Sequence, residues 1–325
     1  MMLQRCLVVD DVDPILFEWL NKAQIEFDYN PEWTKEESIQ ALPNYEGLII
    51  RSKFNVDRTI IDACPKLKFI GRAGAGLDNI DKDYLTKKGV ALFHASEGNR
   101  VAVGEHTLGF ILSLLNNIVR ANAQVKNNLW NREENRGYEL ASMTVGLIGY
   151  GNMGKETAKR LAPFGCKVIV YDKFRRNYSC KNAEQVDLDV LQKKADIISL
   201  HIPLNDFSNG WVDKHFFDAV SKPFWLINTS RGKIVNLKDL NEALLSGKVR
   251  GAALDVLENE KLSALTTEQK ADFKLLTANP NVILTPHIAG WTFESYTKIS
   301  EVLGEKIYEW SISLKIEVKL NTPLG

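Results

Sequence analysis

The stretch Val145-Gly-Leu-Ile-Gly149-Tyr-Gly151-Asn-Met-Gly154, followed by a helical run and then Lys167-Val-Ile-Val-Tyr-Asp172, decides the fold. Val145 to Ile148 is an apolar run of strand length. Gly149, Gly151 and Gly154 follow it as G-x-G-x-x-G, and Ala158, Leu161 and Ala162 recur at helical spacing behind Met153. Lys167 to Tyr171 is a second apolar strand. A strand, a glycine fingerprint that opens a helix, and a second strand ending in an acid about twenty residues on form the start of a dinucleotide-binding βαβ unit. Each glycine has a separate reason. Gly149 permits the tight turn, Gly151 lets a pyrophosphate approach the backbone, and Gly154 brings helix and strand together. The helix start at Asn152 and Met153 turns free N–H groups and a positive dipole end toward phosphate. Asp172 suits the two ribose hydroxyls of NAD and opposes the extra phosphate of NADP, although Lys173, Arg175 and Arg176 just beyond it leave NADP open.

On both sides of this unit, strands alternate with helices. Before it, strands are expected at Cys6–Val9, Ile25–Tyr29, Gly47–Ile50, Lys68–Ile70 and Val90–Phe93, with helices at Pro14–Ala23, Asp57–Ala63 and Asp81–Lys87 between them. Beyond Asp172, strands are expected at Ile197–Leu200, Phe224–Asn228, Ala252–Val256 and Val282–Leu284. A helix is expected over Val186–Lys193, and another follows Asn236 as N-cap and stops at Gly247. Alternation of this kind makes parallel sheets. The fold class is therefore α/β with doubly wound parallel sheets, and 325 residues suggest about two domains. A long helix is expected over Val101–Lys126, a polar arm without period over Asn127–Tyr138, and a last amphipathic helix over Phe293–Leu314.

Composition narrows the function classes. Hydrophobic residues make up 45% and charged residues 25%, as in an ordinary globular protein. Forty-one basic and 41 acidic side chains cancel, so no basic field for nucleic acid is expected. The most apolar helix, Leu108–Leu115, stops at Asn116 and Asn117, too short for a membrane span. No apolar signal segment opens the sequence. Cys6, Cys64, Cys166 and Cys180 show no paired spacing and read as reduced thiols, so a cytoplasmic protein is expected. No Cys/His pair has ligand spacing, and no metal is expected.

In an open parallel sheet, ligands bind beyond the carboxyl ends of the strands. Arg231, Asp255, Glu260 and His287 all fall just past such ends. An arginine can hold a carboxylate bidentately and polarise a carbonyl. A histidine can take a hydroxyl proton as hydride leaves, and a carboxylate beside it fixes its orientation. Taken singly, each has a plain alternative: a loop charge for Arg231, a solvated surface for Glu260, an exposed turn for His287. Of the other histidines, His94 and His201 end strands and could line a cleft, His106 reads as a packed or hydrogen-bonded helix residue, and His215 as surface.

The sequence resembles the D-2-hydroxyacid dehydrogenase family. The stretches that carry the resemblance are Gly71-Arg-Ala-Gly-Ala-Gly-Leu-Asp-Asn-Ile-Asp81, Gly104-Glu-His-Thr-Leu108, the fingerprint, Leu226-Ile-Asn-Thr-Ser-Arg-Gly232, Ala252-Ala-Leu-Asp-Val256 and Thr285-Pro-His-Ile288. They span most of the chain in the family's order. The resemblance implies an NAD-dependent enzyme in which Arg231 binds the substrate carboxylate and carbonyl, His287 is the acid/base, Glu260 its partner, and Asp255 a contact on the nicotinamide side. It assigns His201, Pro203, Thr229, Ser230 and Gly290 to the cofactor cleft with Asn152 and Met153. Ala73, Gly74, Ala75 and Gly76 would offer backbone N–H groups to the substrate carboxylate, and Asn99 would lie where the cleft meets the cofactor domain. It further implies a discontinuous, flavodoxin-like substrate domain (1–98 with 293–325) and a Rossmann NAD-binding domain (99–292). A homodimer through the long helix and arm is implied as well, with Trp130 as an anchor.

Arg51 and Arg72, at the ends of neighbouring strands, and Arg132 in the arm suit a phosphate. The Gly-Arg-Ala-Gly run resembles 3-phosphoglycerate dehydrogenases more than glyoxylate or lactate enzymes. The expected substrate pair is therefore 3-phosphoglycerate and 3-phosphohydroxypyruvate. Glyoxylate, hydroxypyruvate or another 2-hydroxy acid is the alternative if the two arginines are surface residues paired to acids. A corepressor-like protein that senses NAD is the alternative of another class. Three departures from the family pattern stand out. Lys261 replaces a proline after Glu260, the segment 261–281 is longer than usual, and the sequence ends without the regulatory domain of longer phosphoglycerate dehydrogenases, so serine feedback through such a domain is not expected.

Overall fold

A computed structural model describes residues 5–175 and 182–320, with side chains to residue 314; Arg176 and Cys180 lie outside the described residues. The chain divides into two compact units, residues 1–99 with 291–325, and residues 100–290.

In the first unit, strands β1 (Arg5–Val8), β2 (Glu26–Tyr29), β3 (Gly47–Ile50), β4 (Phe69–Arg72) and β5 (Ala91–His94) form one parallel sheet in the order β2-β1-β3-β4-β5, the flavodoxin-like doubly wound order. Helices α1 (Ile15–Ala23), α2 (Lys35–Ala41), α3 (Arg58–Asp62) and α4 (Lys82–Lys88) connect the strands. Their starts are encoded locally. Asp57 and Asp81 each accept the backbone N–H three residues on, and Thr34 closes a capping box with Glu37. Helix α2 was not anticipated, because Lys35–Ala41 is almost wholly polar and owes its start to that cap.

The second unit opens with α5 (Arg100–Leu115) and α6 (Ile118–Lys126). The single helix expected over 101–126 is therefore two. Asn117 adopts a left-handed φ of 54° between them, a conformation that asparagine tolerates better than most residues. Asn116 turns its side-chain amide back to the Leu112 carbonyl at 3.0 Å. The arm, read as polar and without period, is pinned by Arg120, whose guanidinium donates to Asn135 Oδ1, to Asn281 Oδ1 and to the Glu134 carbonyl at 3.0, 2.8 and 2.6 Å.

Strands β6 (Thr144–Ile148), β7 (Lys167–Tyr171), β8 (Glu184–Gln185), β9 (Ile197–Leu200), β10 (Phe224–Asn228), β11 (Val249–Leu254) and β12 (Val282–Leu284) follow, all parallel, in the order β12-β11-β10-β9-β6-β7-β8. The crossovers are α7 (Asn152–Leu161), α8 (Leu188–Lys194), α9 (Lys214–Ala219), α10 (Leu237–Leu245) and α11 (Thr267–Ala278). Chain direction across the sheet reverses between β6 and β9, which makes that point the expected ligand crevice. Asn236 caps α10 by accepting from Asp239 N, and Gly247 beyond it takes φ 76°. Helix α11 was also not anticipated. It lies inside the long 261–281 segment and starts on a capping box made by Thr266 and Gln269.

Helix α12 (Phe293–Leu320) returns to the first unit and runs past the expected end at Leu314. Its Ile299, Leu303 and Ile307 are buried against the sheet of that unit. Two glycines bring α12 close to α1 and to the segment after β5. A Cβ on Gly304 would sit 2.5 Å from Trp19, and one on Gly98 would sit 2.7 Å from the Ile299 backbone. Among the described residues no helix is long and apolar enough to cross a membrane, and no group of His, Cys, Asp and Glu could hold a metal ion.

Candidate active site

The carboxyl edge of the second unit's sheet carries most of the predicted residues. After β6, Gly149 takes φ 99°, and a Cβ there would overlap the His201 carbonyl. A Cβ on Gly154 would overlap the Gly149 carbonyl, so β6 and α7 meet at backbone distance. Gly151 differs from both: nothing lies within 4 Å of where its Cβ would be. A pyrophosphate could therefore reach the backbone at the α7 N-terminus, where Asn152 and Met153 begin the helix. These are the features a dinucleotide requires.

Asp172, expected to face the ribose, already organises this loop. Its Oδ2 accepts Tyr150 N at 2.8 Å, and its Oδ1 accepts Phe174 N and Arg175 N at 2.9 and 3.0 Å. His201 was expected to line the cleft, but its ring turns inward. It is 9% exposed, its Nε2 lies 2.9 Å from Ser199 Oγ, and burial pushes its pKa down to about 4. Pro203 is exposed, and its carbonyl accepts the Ser208 hydroxyl.

After β10, the buried Asn228 shapes the turn that presents Arg231. Its Oδ1 accepts from both Ser230 N and Ser230 Oγ, and its Nδ2 donates to the Arg231 carbonyl. Gly232 must be glycine, because a Cβ would overlap the Leu257 carbonyl. Thr229 Oγ1 lies 3.2 Å from Thr107 Oγ1 of α5.

After β11, Asp255 is 1% exposed. Its carboxylate accepts the Thr285 hydroxyl at 2.5 Å and the amides of Ile288 and Ala289 at 2.8 Å each. A nicotinamide contact was expected of Asp255; its placement is that of a clamp on the segment after β12. That segment holds His287 at φ 57°, a left-handed conformation costing a non-glycine residue roughly 1–2 kcal/mol. Two hydrogen bonds from His287 N, to the Asp255 carbonyl at 2.8 Å and the Thr285 carbonyl at 3.0 Å, hold it there.

The resulting orientation brings His287 Nδ1 to 2.9 Å from Glu260 Oε2. The long segment after Glu260 does not separate the two. Lys261, where the family pattern has proline, donates its N–H to Asn259 Oδ1 at 3.0 Å, a bond proline cannot make. Asn259 Nδ2 in turn lies 3.2 Å from Gln269 Oε1 of the α11 capping box. The neighbouring Glu258 points elsewhere: it accepts Leu237 N at 2.7 Å, and burial raises its pKa. His106, read from sequence as a packed or hydrogen-bonded helix residue, sits 3.2 Å from Thr285 Oγ1. His215 is exposed, as expected.

The carboxyl edge of the first unit's sheet carries the predicted substrate residues. Asp10, not singled out in the sequence, accepts the amides of Arg51, Ser52 and Lys53 on one oxygen at 2.6, 2.8 and 3.0 Å. Arg51 stacks its guanidinium 4.4 Å from the Trp291 ring centre, and its buried Nη1 has no partner among the described residues. The Arg72 guanidinium lies over Gly74, where any Cβ would collide with it. Ala73 is buried, while Ala75 and Gly76 are partly exposed. The Oδ1 of Asn99 and the Nδ1 of His94 are likewise buried without partners among the described residues. Burial, with Lys306 and Arg72 nearby, lowers the His94 pKa.

Residues 108–289 match the family described as D-isomer specific 2-hydroxyacid dehydrogenase, NAD binding domain. A "D-3-phosphoglycerate dehydrogenase" of Archaeoglobus fulgidus is 34% identical over 98% of this chain, which spans 59% of that protein's length. A "hydroxypyruvate reductase" of Thermotoga maritima is 36% identical over 89% of this chain and 92% of its own. Among solved structures, D-lactate dehydrogenase from Aquifex aeolicus, complexed with NAD and lactic acid, superposes with a TM-score of 0.80 at 27% identity, covering 99% of each chain. With its fingerprint glycines and the Arg231, Glu260 and His287 loops on one sheet edge, the chain belongs to the D-isomer specific 2-hydroxyacid dehydrogenase family.

Proposed function

We propose that the protein transfers hydride between NAD and C2 of a D-2-hydroxy acid, and that the substrate pair is 3-phosphoglycerate and 3-phosphohydroxypyruvate. The observation that carries the chemistry is the Glu260–His287 pair at 2.9 Å on the edge that also presents Arg231. With Nδ1–H donated to Glu260, the imidazole offers Nε2 as the base. In oxidation, Nε2 accepts the C2 hydroxyl proton; in reduction, it returns that proton to the carbonyl oxygen. Arg231 holds the carboxylate and polarises that oxygen. NAD, when bound, supplies the hydride acceptor or donor. Gly149, Gly151, Asn152, Met153, Gly154, Asp172, Thr229, Ser230 and Gly290 are the residues we assign to the cofactor. His201 and Pro203 contribute through their backbone.

For the substrate, the reading rests on the phosphoglycerate dehydrogenase names among the relatives and on Arg51 and Arg72. Arg51 retains a buried N–H group without a partner among the described residues, and guanidinium forks match phosphate oxygens. The backbone of Ala73 to Gly76 and the Asn99 side chain complete the proposed substrate set. The test is a panel of 2-keto acids read through NADH. In His287→Ala, turnover falls about a thousandfold with NADH affinity kept. In Arg72→Ala, KM rises at least tenfold for 3-phosphohydroxypyruvate and less than threefold for pyruvate or glyoxylate. An unaffected rate in the first variant rejects the acid/base role, and equal KM changes in the second reject the phosphate. Absence of turnover on any acid, with NAD-dependent capture of a protein partner, would replace the enzyme reading by the sensor.

We assign a second copy of this chain as its partner. Ile118, Val119, Val125 and Leu129 are about half exposed and Trp130 is 83% exposed, a run of large apolar side chains on and just after α6. Sedimentation of the wild type as a dimer, and of Trp130→Ala with a weakened association constant, is expected; a monomeric wild type refutes it.

A further inference from the structure

We propose that His106 is a positioning residue for His287, acting through Thr285 and Asp255. This rests on the reading of His287 as the acid/base. The chain of bonds starts in α5, where His106 Nε2 lies 3.2 Å from Thr285 Oγ1. Thr285 Oγ1 donates to Asp255 Oδ1 at 2.5 Å. Asp255 then accepts Ile288 N and Ala289 N on its two oxygens, and its carbonyl accepts His287 N. A threonine hydroxyl has one hydrogen, and an ionised carboxylate can only accept. The hydrogen of Thr285 therefore goes to Asp255, so its oxygen must accept from His106. That requires the tautomer with the proton on Nε2. Burial keeps this imidazole below its usual pKa, against the opposing charge of Asp255, which agrees with a neutral donor.

The geometry gives the bond a task. His287 occupies a conformation that its own backbone disfavours, and the Asp255 clamp is what over-determines it. Asp255 can hold the two amides only while its carboxylate keeps its orientation. The Thr285 hydroxyl, oriented by His106, is the side-chain group that fixes it. The adjacent residue of α5, Thr107, reaches the Thr229 turn that leads to Arg231. Consecutive side chains of one helix thus brace both loops that carry the reacting groups. His106 itself also packs edge-on against Phe110, with ring centres 4.4 Å apart, so its packing and its hydrogen bond can be separated by substitution.

The test uses His106→Phe, which keeps an aromatic ring against Phe110 but cannot donate, and His106→Gln, whose side-chain amide can donate from nearly the same place. Thr285→Val removes the intermediate hydroxyl. His106→Phe and Thr285→Val should each lower kcat ten- to a hundredfold with KM for NADH within twofold of wild type. The double variant should be no worse than the poorer single one. His106→Gln should recover to within threefold of wild type. Retention of kcat within twofold in His106→Phe, equal impairment in His106→Gln, or fully multiplicative losses overturn the proposal. Nitrogen-15 imidazole NMR of the protein alone makes the second readout, which needs no substrate. The His287 Nδ1 resonance should show its hydrogen bond to Glu260 in wild type and His106→Gln, and lose it in His106→Phe. If the wild type turns over no 2-keto acid, the enzyme reading fails while this spectrum still decides the positioning; an unchanged His287 resonance in His106→Phe overturns it. Thermal unfolding of each variant separates misfolding from loss of position, and Thr285→Val carries the test should His106→Phe fail to fold.

Discussion

The two sheets end in the same device put to different uses. At the carboxyl edge of the first, Asp10 gathers three backbone amides of the segment after β3. At the edge of the second, Asp255 gathers two amides and a hydroxyl of the segment after β12. Asp10 is only partly buried, and the residue it steadies, Arg51, keeps a buried N–H group without a partner among the described residues. Asp255 is buried, and the residue it steadies, His287, is already bonded to Glu260. The difference follows from what each edge is proposed to do. A proton-transfer group must sit within hydrogen-bond reach of its target in one orientation, so its support is buried and fully bonded. A recognition group needs bonding capacity left over for a ligand.

The contrast predicts unequal costs for equal chemistry. Asp255→Asn exchanges an acceptor for a donor inside a buried network and should cost about 3 kcal/mol in urea unfolding. Asp10→Asn, nearer solvent, should cost about 1 kcal/mol. Equal losses would break the comparison.

A pH series sharpens it within the second unit. His201 is neutral in the fold, with its pKa pushed from 6.5 to about 4 by burial. Between those values the unfolded chain binds a proton that the native state refuses. This contribution is therefore complete above pH 6.5 and is lost as pH falls toward 4, a decline on the order of 3 kcal/mol. His201→Gln should flatten that limb of the stability curve; an unaltered limb would assign the acid loss to other groups.

The smallest effects separate two glycines of one fingerprint. Gly154→Ala forces a methyl onto the Gly149 carbonyl and should cost about 1–3 kcal/mol of stability. Gly151→Ala meets nothing within 4 Å and should leave unfolding unchanged while weakening NADH binding tenfold or more. A stability loss in the second variant, or intact NADH binding, would contradict the assignment of that open backbone to the pyrophosphate.

Much of the site was readable because strand ends are readable. Once β6, β10, β11 and β12 are recognised, Arg231, Asp255 and His287 fall at one sheet edge by the geometry of parallel strands. Glu260 is harder to place from sequence, because Lys261 and the long segment after it depart from the family pattern. Only the folded α11, capped by Thr266 and Gln269 and tied to Asn259, accounts for how that segment leaves Glu260 beside the histidine. Helix α2 was missed because its core-facing pattern is faint, and the break at Asn117 because asparagine pairs are tolerated within helices as well as at their ends. The partners of Asp10 and His106 were not legible locally, although one follows a strand and the other lies in a stretch that carries the resemblance: those partners lie 41 and 179 residues away.

By itself, the sequence determined the alternation of strands and helices, the glycine fingerprint and the inventory of reacting side chains. These depend on periodicity and on backbone conformations that only glycine adopts freely, both local properties of the chain. The tertiary structure alone decided which groups are spent on support and which are left to act. It turned Asp255 and the ring of His201 inward to structural partners, and it left His287 held in a left-handed conformation facing Glu260. Hydrogen-bond partners far apart in sequence are chosen by packing, and a side chain's chemistry does not say where its bonds will be made.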